Sequence, residues 1–164
     1  MLTPSLSLRP TSLTDQAFCQ RLFTQVKSAE LSIGGDENTQ LASLLSLQFA
    51  AHERHYQQIS LPLTDHLIFL TEGNQPPITI GRQIVWREER SLHLADLSIL
   101  AEYRHQGHGS ALLHALQQQA QAENLAVTLR CSPANPALRL YQRSGWQVID
   151  TADPVQLLLR WSGN

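Results

Sequence analysis

Apolar residues change their spacing along this chain, and the changes mark its elements. Leu6-Ser-Leu-Arg-Pro10 alternates apolar and polar positions ahead of a proline, the pattern of an edge strand. Phe18, Leu22, Val26 and Ala29 then recur at three- and four-residue spacing, which predicts a helix from about Thr14 to Glu30, capped by Ser12 or Thr14. Gly34-Gly35-Asp36 interrupts it. A second helix is expected from Asn38 to about Ile59, with Leu41, Leu44, Leu45, Phe49 and Tyr56 on one stripe. Advancing by about 100° per residue, Gln48, His52 and His55 fall inside that stripe, so its apolar face carries polar groups.

After Pro62 the texture becomes short and β-rich: His66 to Thr71, Ile78 to Trp86 and Leu92 to Leu100, an expected antiparallel meander separated by Glu-Gly-Asn and Arg-Glu-Glu-Arg turns. Gly107-His-Gly109 opens a third helix reaching about Asn124, with Leu112, Leu113, Leu116 and Ala120 as its buried stripe and Gln117-Gln-Gln119 on a solvated face. Ala126 to Cys131 reads as a strand. Asn135-Pro136 begins a short fourth helix that Gly145 ends, and Trp146 to Asp150 and Val155 to Trp161 read as final strands. The order is β-α-α-β-β-β-α-β-α-β-β, an α/β (α+β) chain without internal repeats.

At 164 residues the chain suits one domain over 1–164. With 42% hydrophobic and 16% charged residues and no run of about eighteen apolar residues, it reads as a soluble protein. MLTPSLSLRP lacks the basic-then-apolar layout of a secretory signal, so a cytoplasmic location is expected. A net charge of −2 with scattered basic residues argues against nucleic acid or an anionic membrane as partner, leaving small molecules or a peptide. Cys19 and Cys131 have no metal-ligand spacing and read as reduced, partly buried thiols; no metal is expected.

The densest candidate chemistry is Arg104-His-Gln-Gly107-His-Gly109 between a strand and an amphipathic helix starting near Ser110. Glycines let the backbone approach a ligand, and the unpaired amides and positive dipole end of a helix favour an anion such as a pyrophosphate. Arg104 can add a charge-assisted bond, and His105, His108 and Ser110 further donors. A tight strand-to-helix connection would look much the same. A nucleotide P-loop is excluded, since no lysine follows either glycine and the chain's one lysine is Lys27. The dinucleotide fingerprint fits poorly, because Leu112 stands where its third glycine belongs.

Arg104-x-x-Gly107-x-Gly109 after a strand resembles the (Gln or Arg)-x-x-Gly-x-(Gly or Ala) signature of the GNAT superfamily of N-acetyltransferases. Asn135-Pro-Ala-Leu-Arg-Leu-Tyr141-Gln-Arg-Ser-Gly145-Trp146 is similar to that superfamily's Asn-x-x-Ala-x-x-Leu-Tyr-x-x-x-Gly-Phe segment, with Trp for Phe and one residue fewer between Asn and Ala. The likeness runs from about Leu6 to Trp161 and is strongest from Ala95 to Asp150. It implies a GNAT fold: a central, mixed, mostly antiparallel sheet of about seven strands, about four flanking helices, and strands four and five splayed into an acetyl-CoA cleft. Pantetheine would bond the backbone of Leu97, Ser98 and Ile99, and the diphosphate would rest on Gln106 to Ser110, with Arg104 and His105 beside it. A bulge in strand four would free an amide near Ile99 for the thioester carbonyl.

The same resemblance makes Tyr141 the general acid toward the departing thiolate, where a packed core aromatic is the plainer reading. Asn135 bonds pantetheine, or caps its helix. Asp96 is the first candidate for base or ammonium anchor, against an outward, solvated carboxylate. His52, His55 and Tyr56 border the expected acceptor groove, although a core histidine with satisfied bonds is the commoner case. Glu30, Asp36 and Glu37 bracket the loop where such enzymes often read their acceptor and could attract a cation, although such a charge run is usually only a solvated loop. Expected partners are acetyl-CoA as co-substrate and a primary amine, on a small molecule ahead of a peptide or protein; a homodimer stays open. The rival reading is a non-catalytic acyl-CoA sensor or interaction module on this fold.

Overall fold

The computed structural model describes residues 4–31 and 39–163. Gly34, Gly35, Asp36, Glu37 and Asn38 lie outside the described residues. The strands are β1 (Ser5–Pro10), β2 (Leu63–Thr71), β3 (Ile78–Arg87), β4 (Ser91–Ile99), β5 (Ala126–Cys131), β6 (Gln147–Asp150) and β7 (Leu157–Trp161). The helices are α1 (Gln16–Glu30), α2 (Thr39–Gln57), α3 (His108–Ala122) and α4 (Leu138–Arg143). Among the described residues the strands form one mixed seven-stranded sheet in the order β1-β2-β3-β4-β5-β7-β6. Strands β1 and β2 pair antiparallel, β4 and β5 parallel, and β7 antiparallel to both β5 and β6.

The described residues pack as two compact units. The first holds β1, α1, α2, the Asp65–Gln83 stretch of β2 and β3, and Ser98–Arg104. A 3-10 turn, Leu13–Asp15, leads into α1 on a capping box: the Ser12 amide donates to Asp15 Oδ2 at 2.8 Å, and Arg9 bonds the other oxygen at 2.8 Å. Hydrogen bonds from Arg9 and Ser12 hold the Asp15 carboxyl down at about 2. Cys19, Leu22, Leu45, Phe49, Leu67, Ile68, Leu70 and Ile80 are buried there. On α2 the stripe is narrower than the sequence suggested, because Leu44, Gln48 and His55 are exposed while Leu45 and Phe49 point inward. A helix that packs along one seam needs only that seam covered, so the flanks of an apolar stripe can face solvent.

Arg82, with its side chain 4% exposed, sits at the centre of this unit. Its guanidinium donates to Glu53 Oε1 and Oε2 at 2.5 and 3.0 Å, and to Asp65 Oδ1 and Oδ2 at 2.8 and 2.6 Å. Thr11 Oγ1 donates to Asp65 Oδ1 at 3.0 Å, so α2, β2, β3 and the segment after β1 meet at one cation. Burial alone would raise the Glu53 carboxyl, but hydrogen bonds from His52 and Arg82 and the Arg82 charge outweigh it and hold it at about 2.

The second unit holds Ile84–Leu97 and His105 onward, together with Leu61–Thr64. Val85, Leu92, Leu94, Leu113, Leu116, Ala120, Val127, Leu129, Tyr141, Trp146 and Leu159 form its core. Gln117, expected in solvent, is 7% exposed because its Nε2 donates to the Ser144 carbonyl at 2.8 Å, tying α3 to the end of α4. Gly145 (φ 86°) ends α4, with its amide on Gln142 O and the Trp146 amide on Tyr141 O, both at 3.1 Å, a Schellman closure. The Pro136 start shifts by two residues: α4 begins at Leu138, after a turn closed by Leu138 N to Asn135 O at 3.0 Å. His93 is buried, stacked on Trp86 at 4.3 Å and bonded through Nδ1 to Thr128 Oγ1 at 2.8 Å; burial pushes its imidazole below the usual range.

Replacing Arg82 by Met strands two carboxylates, and the expected loss is about 3–5 kcal/mol of stability in urea unfolding. In the parent protein the unfolded chain takes up the Glu53 proton before the folded one does. The Glu53 contribution is therefore complete above its ordinary carboxyl range and is lost as pH falls toward about 2; pH-resolved unfolding should show that acid limb reduced in Glu53→Gln.

Candidate active site

Parallel pairing joins Ser91–Leu94 of β4 to Ala126–Leu129 of β5 and, among the described residues, goes no further, while β4 continues through Ala95 to Ile99. Residues Ala95 to Ile99 are half-buried. This is the splay expected of strands four and five.

At the far end of β4, Ser98 and Ile99 belong to the first unit. The Leu100 amide donates to Ile80 O at 2.8 Å, and a short 3-10 turn, Ala101–Tyr103, follows. Arg104 turns back: its Nε donates to the Ile99 carbonyl at 2.7 Å. The sequence offered this guanidinium to an anion, and the structure spends one of its donors on the strand.

In the second unit, Gly107 precedes α3 with φ 85° and ψ −3°, a conformation that side chains resist. His105 also takes positive φ, 58°. The Gly107 carbonyl accepts the first helical bond, from Ala111 N at 3.0 Å, so the amides of His108, Gly109 and Ser110 have no helical acceptor, as at any helix start. A Cβ on Gly109 would come 3.3 Å from Leu140 Cδ2, so its bareness lets α3 approach α4. His105, Gln106, Gly107 and Ser110 are exposed, and His108 is half-buried with its Nε2 enclosed and unbonded. Unpaired amides at a helix start are the kind of group that favours an anion.

Tyr141 lies on α4, 8% exposed, its ring 5.9 Å from that of Trp146. Burial, followed by the charges of Cys131 and Asp96, pushes its phenol up to about 12. Asp96 and Tyr141 thus share a neighbourhood, and Asp96 is half-buried, in place of the solvated carboxylate that was its plainer reading. Asn135 does not cap α4 itself; its Oδ1 accepts from Ala137 N at 2.9 Å and closes an Asx turn ahead of the helix.

The candidate acceptor residues lie in the first unit. His52 is half-buried against Phe23, with Nδ1 3.3 Å from Glu53 Oε1, and the Tyr56 ring stands edge-on to it at 4.7 Å. His55 is exposed, its ring 5.3 Å from Tyr56. Glu30 is exposed and paired with Lys27 at 2.7 Å. Arg82 escaped the sequence reading, though an arginine inside the apolar run Ile78 to Trp86 is a signal for a buried ion pair. Among the described residues no three His, Cys, Asp or Glu side chains group as a metal site, and no helix is long and apolar enough to cross a membrane.

Strand β4 thus runs on past its parallel pairing with β5, a left-handed glycine precedes α3, and a buried tyrosine sits on α4. The acetyltransferase (GNAT) domain profile matches residues 64–148, more than half of the chain, so the chain belongs to the GNAT acetyltransferases. Solved structures agree in fold. PaiA N-acetyltransferase from Thermoplasma acidophilum, in complex with coenzyme A, has TM-score 0.70 and 17% identity over 97% of this chain and 99% of that one. An acetyltransferase from Thermus thermophilus has TM-score 0.66 and 18% identity over 96% and 97%. Arabidopsis thaliana Naa50, with the bisubstrate analogue CoA-Ac-MVNAL, has TM-score 0.59 and 15% identity over 97% and 99%. No curated protein sequence matches the chain.

Gly107→Ala and Gly107→Glu carry the same backbone strain, about 1–2 kcal/mol, and an added Cβ meets nothing within 4 Å. Only the glutamate adds a negative charge. In calorimetry the alanine variant should keep coenzyme A affinity within a few-fold and the glutamate variant should lose it; equal behaviour would mean that the turn holds no anion.

Proposed function

We propose that this protein, acting as one catalytic domain, transfers the acetyl group of acetyl-CoA to a primary amine, on a small molecule ahead of a peptide or protein. The observation that carries this reading is the Gly107 turn at the start of α3, directly after a strand whose parallel pairing has ended. In the proposed arrangement the diphosphate lies on the amides of Gly107 to Ser110, with His105, Gln106 and His108 around it, and pantetheine bonds the main chain of Leu97 to Ile99 as an added strand would. The coenzyme A complex of the PaiA structure and the CoA analogue on Naa50 support that donor.

The chemistry is a direct displacement. The amine nitrogen bonds to the acetyl carbon, the C–S bond breaks, the nitrogen loses a proton and the sulfur gains one. An alkyl ammonium of pKa ~10.4 must first be deprotonated, a role for Asp96 directly or through water. Tyr141, raised to about 12, stays protonated throughout the neutral range and is always ready to donate. Against a thiol of about 8.5, complete transfer from it is uphill by roughly 3.5 units, about 5 kcal/mol. Its proton therefore moves as the C–S bond breaks and the sulfur becomes most basic. His52, His55, Tyr56 and Glu30 are the proposed acceptor determinants, His52 and Tyr56 ahead of exposed His55 and lysine-paired Glu30.

Tyr141→Phe should lower the rate of acetyl transfer by about 10²–10⁴ while acetyl-CoA affinity in calorimetry stays within a few-fold. A full rate in that variant removes Tyr141 from the chemistry. Wild-type protein that binds neither acetyl-CoA nor free CoA removes the transferase reading, and binding without turnover of any amine, or of acetyl-CoA itself, turns it into the sensor.

A further inference from the structure

Gly81, on β3, is buried and does not have a left-handed backbone, so conformational freedom does not account for it. What does is space. A Cβ built on Gly81 would lie 2.3 Å from the Ser98 carbonyl oxygen, 3.1 Å from Ile68 Cδ1 and 3.3 Å from Ile99 Cα. The Ser98 carbonyl therefore occupies the volume a side chain would fill, and the Ser98–Ile99 main chain lies closer to β3 than any other residue type at position 81 permits. Two further contacts fix the same stretch: Leu100 N donates to Ile80 O at 2.8 Å, and Arg104 Nε donates to the Ile99 carbonyl at 2.7 Å. The Ser98 carbonyl is thus seated on Gly81 and the Ile99 carbonyl is claimed by Arg104.

We infer that Gly81 is a positioning residue for acyl transfer, setting with Arg104 the placement of the Ser98–Ile99 backbone that receives the thioester carbonyl. The inference rests on the transferase reading above and adds to it the residue that fixes the carbonyl-binding main chain. Any Cβ at position 81 pushes Ser98 outward by roughly 1 Å to regain ordinary contact, and a misplacement of that size at a reacting group can cost about a hundredfold. Ile68 could yield, since its contact is one flexible methyl group; the carbonyl of Ser98 cannot move without its strand.

The test reads the acetyl carbonyl directly. Wild type, Gly81→Ala and Arg104→Met are loaded with acetyl-CoA carrying ¹³C at the carbonyl, and the isotope-shifted stretch is recorded by difference infrared spectroscopy; affinities for acetyl-CoA and free CoA are measured beside it. In Gly81→Ala the stretch should move to higher frequency, and affinity for acetyl-CoA should fall on the order of tenfold relative to free CoA, the loss of about one hydrogen bond. Loss of packing alone would weaken both ligands equally and leave the stretch unmoved, and that result would overturn the inference. If Gly81→Ala does not fold, Arg104→Met, which leaves β3 untouched, decides: an upward shift with a lowered acetyl-CoA to CoA affinity ratio supports the placement, and an unmoved band overturns it. Wild type that binds neither ligand rejects the transferase reading itself, an outcome distinct from wild type and both variants showing one and the same band.

Discussion

A β-strand cannot leave its main-chain amides and carbonyls unbonded in a low-dielectric place, and the proposed activity follows from how β4 meets that constraint. Its first half is paired with β5 and buried among Leu92, Leu94, Val127 and Leu129. Its second half has left that partner. There the Ile99 carbonyl accepts from Arg104, and the Ser98 carbonyl packs into the space left by the missing side chain of Gly81. In the proposed reading, the stretch beyond Leu94 is where an extended ligand with amides of its own, pantetheine, adds to the sheet. Main-chain binding, as proposed, asks little of the side chains in Ala95-Asp-Leu-Ser-Ile99, so the stretch does not announce a site.

The Arg82 cluster serves a different end. Two buried carboxylates facing one guanidinium are expensive to desolvate, and such a cluster is a weak source of stability but a strong source of geometric definition. Its hydrogen bonds fix the rotation of α2, since Glu53 has to face β3. That rotation carries His52 inward and leaves His55 outside, so the two imidazoles that the sequence treated as equals have different surroundings. Position on a helix face is decided here by one ion pair more than by the apolar pattern.

The parts of the fold legible in the sequence are those whose cause is local. Period-two and period-three-to-four patterns placed every strand and helix to within a few residues, because burial of one face is written into consecutive positions. The Gly107 turn was legible for the same reason: glycine, strand and helix are neighbours in the chain. Gly81 and Arg82 were not, because their partners Ser98, Glu53 and Asp65 lie far away in sequence and a single glycine or arginine in a strand has no periodicity to betray it. Gln117 misled by composition, a glutamine among glutamines that finds the Ser144 carbonyl. Asn135 carried two readings that sequence could not separate, and its bond to Ala137 closes a turn ahead of α4 without capping the helix.

The Lys27–Glu30 pair on α1 bears on how such a protein lives with its own reagent. Positive charge in this chain is carried by arginine nearly throughout, and Lys27 is the one side-chain amine it possesses. Guanidinium groups do not give up a proton near neutrality and are poor targets for a thioester, so this acetyltransferase offers an acetyl thioester one side-chain amine of its own. The exception is tethered to a carboxylate 2.7 Å away. Self-labelling of side-chain amines is thereby confined to a single address on the molecule.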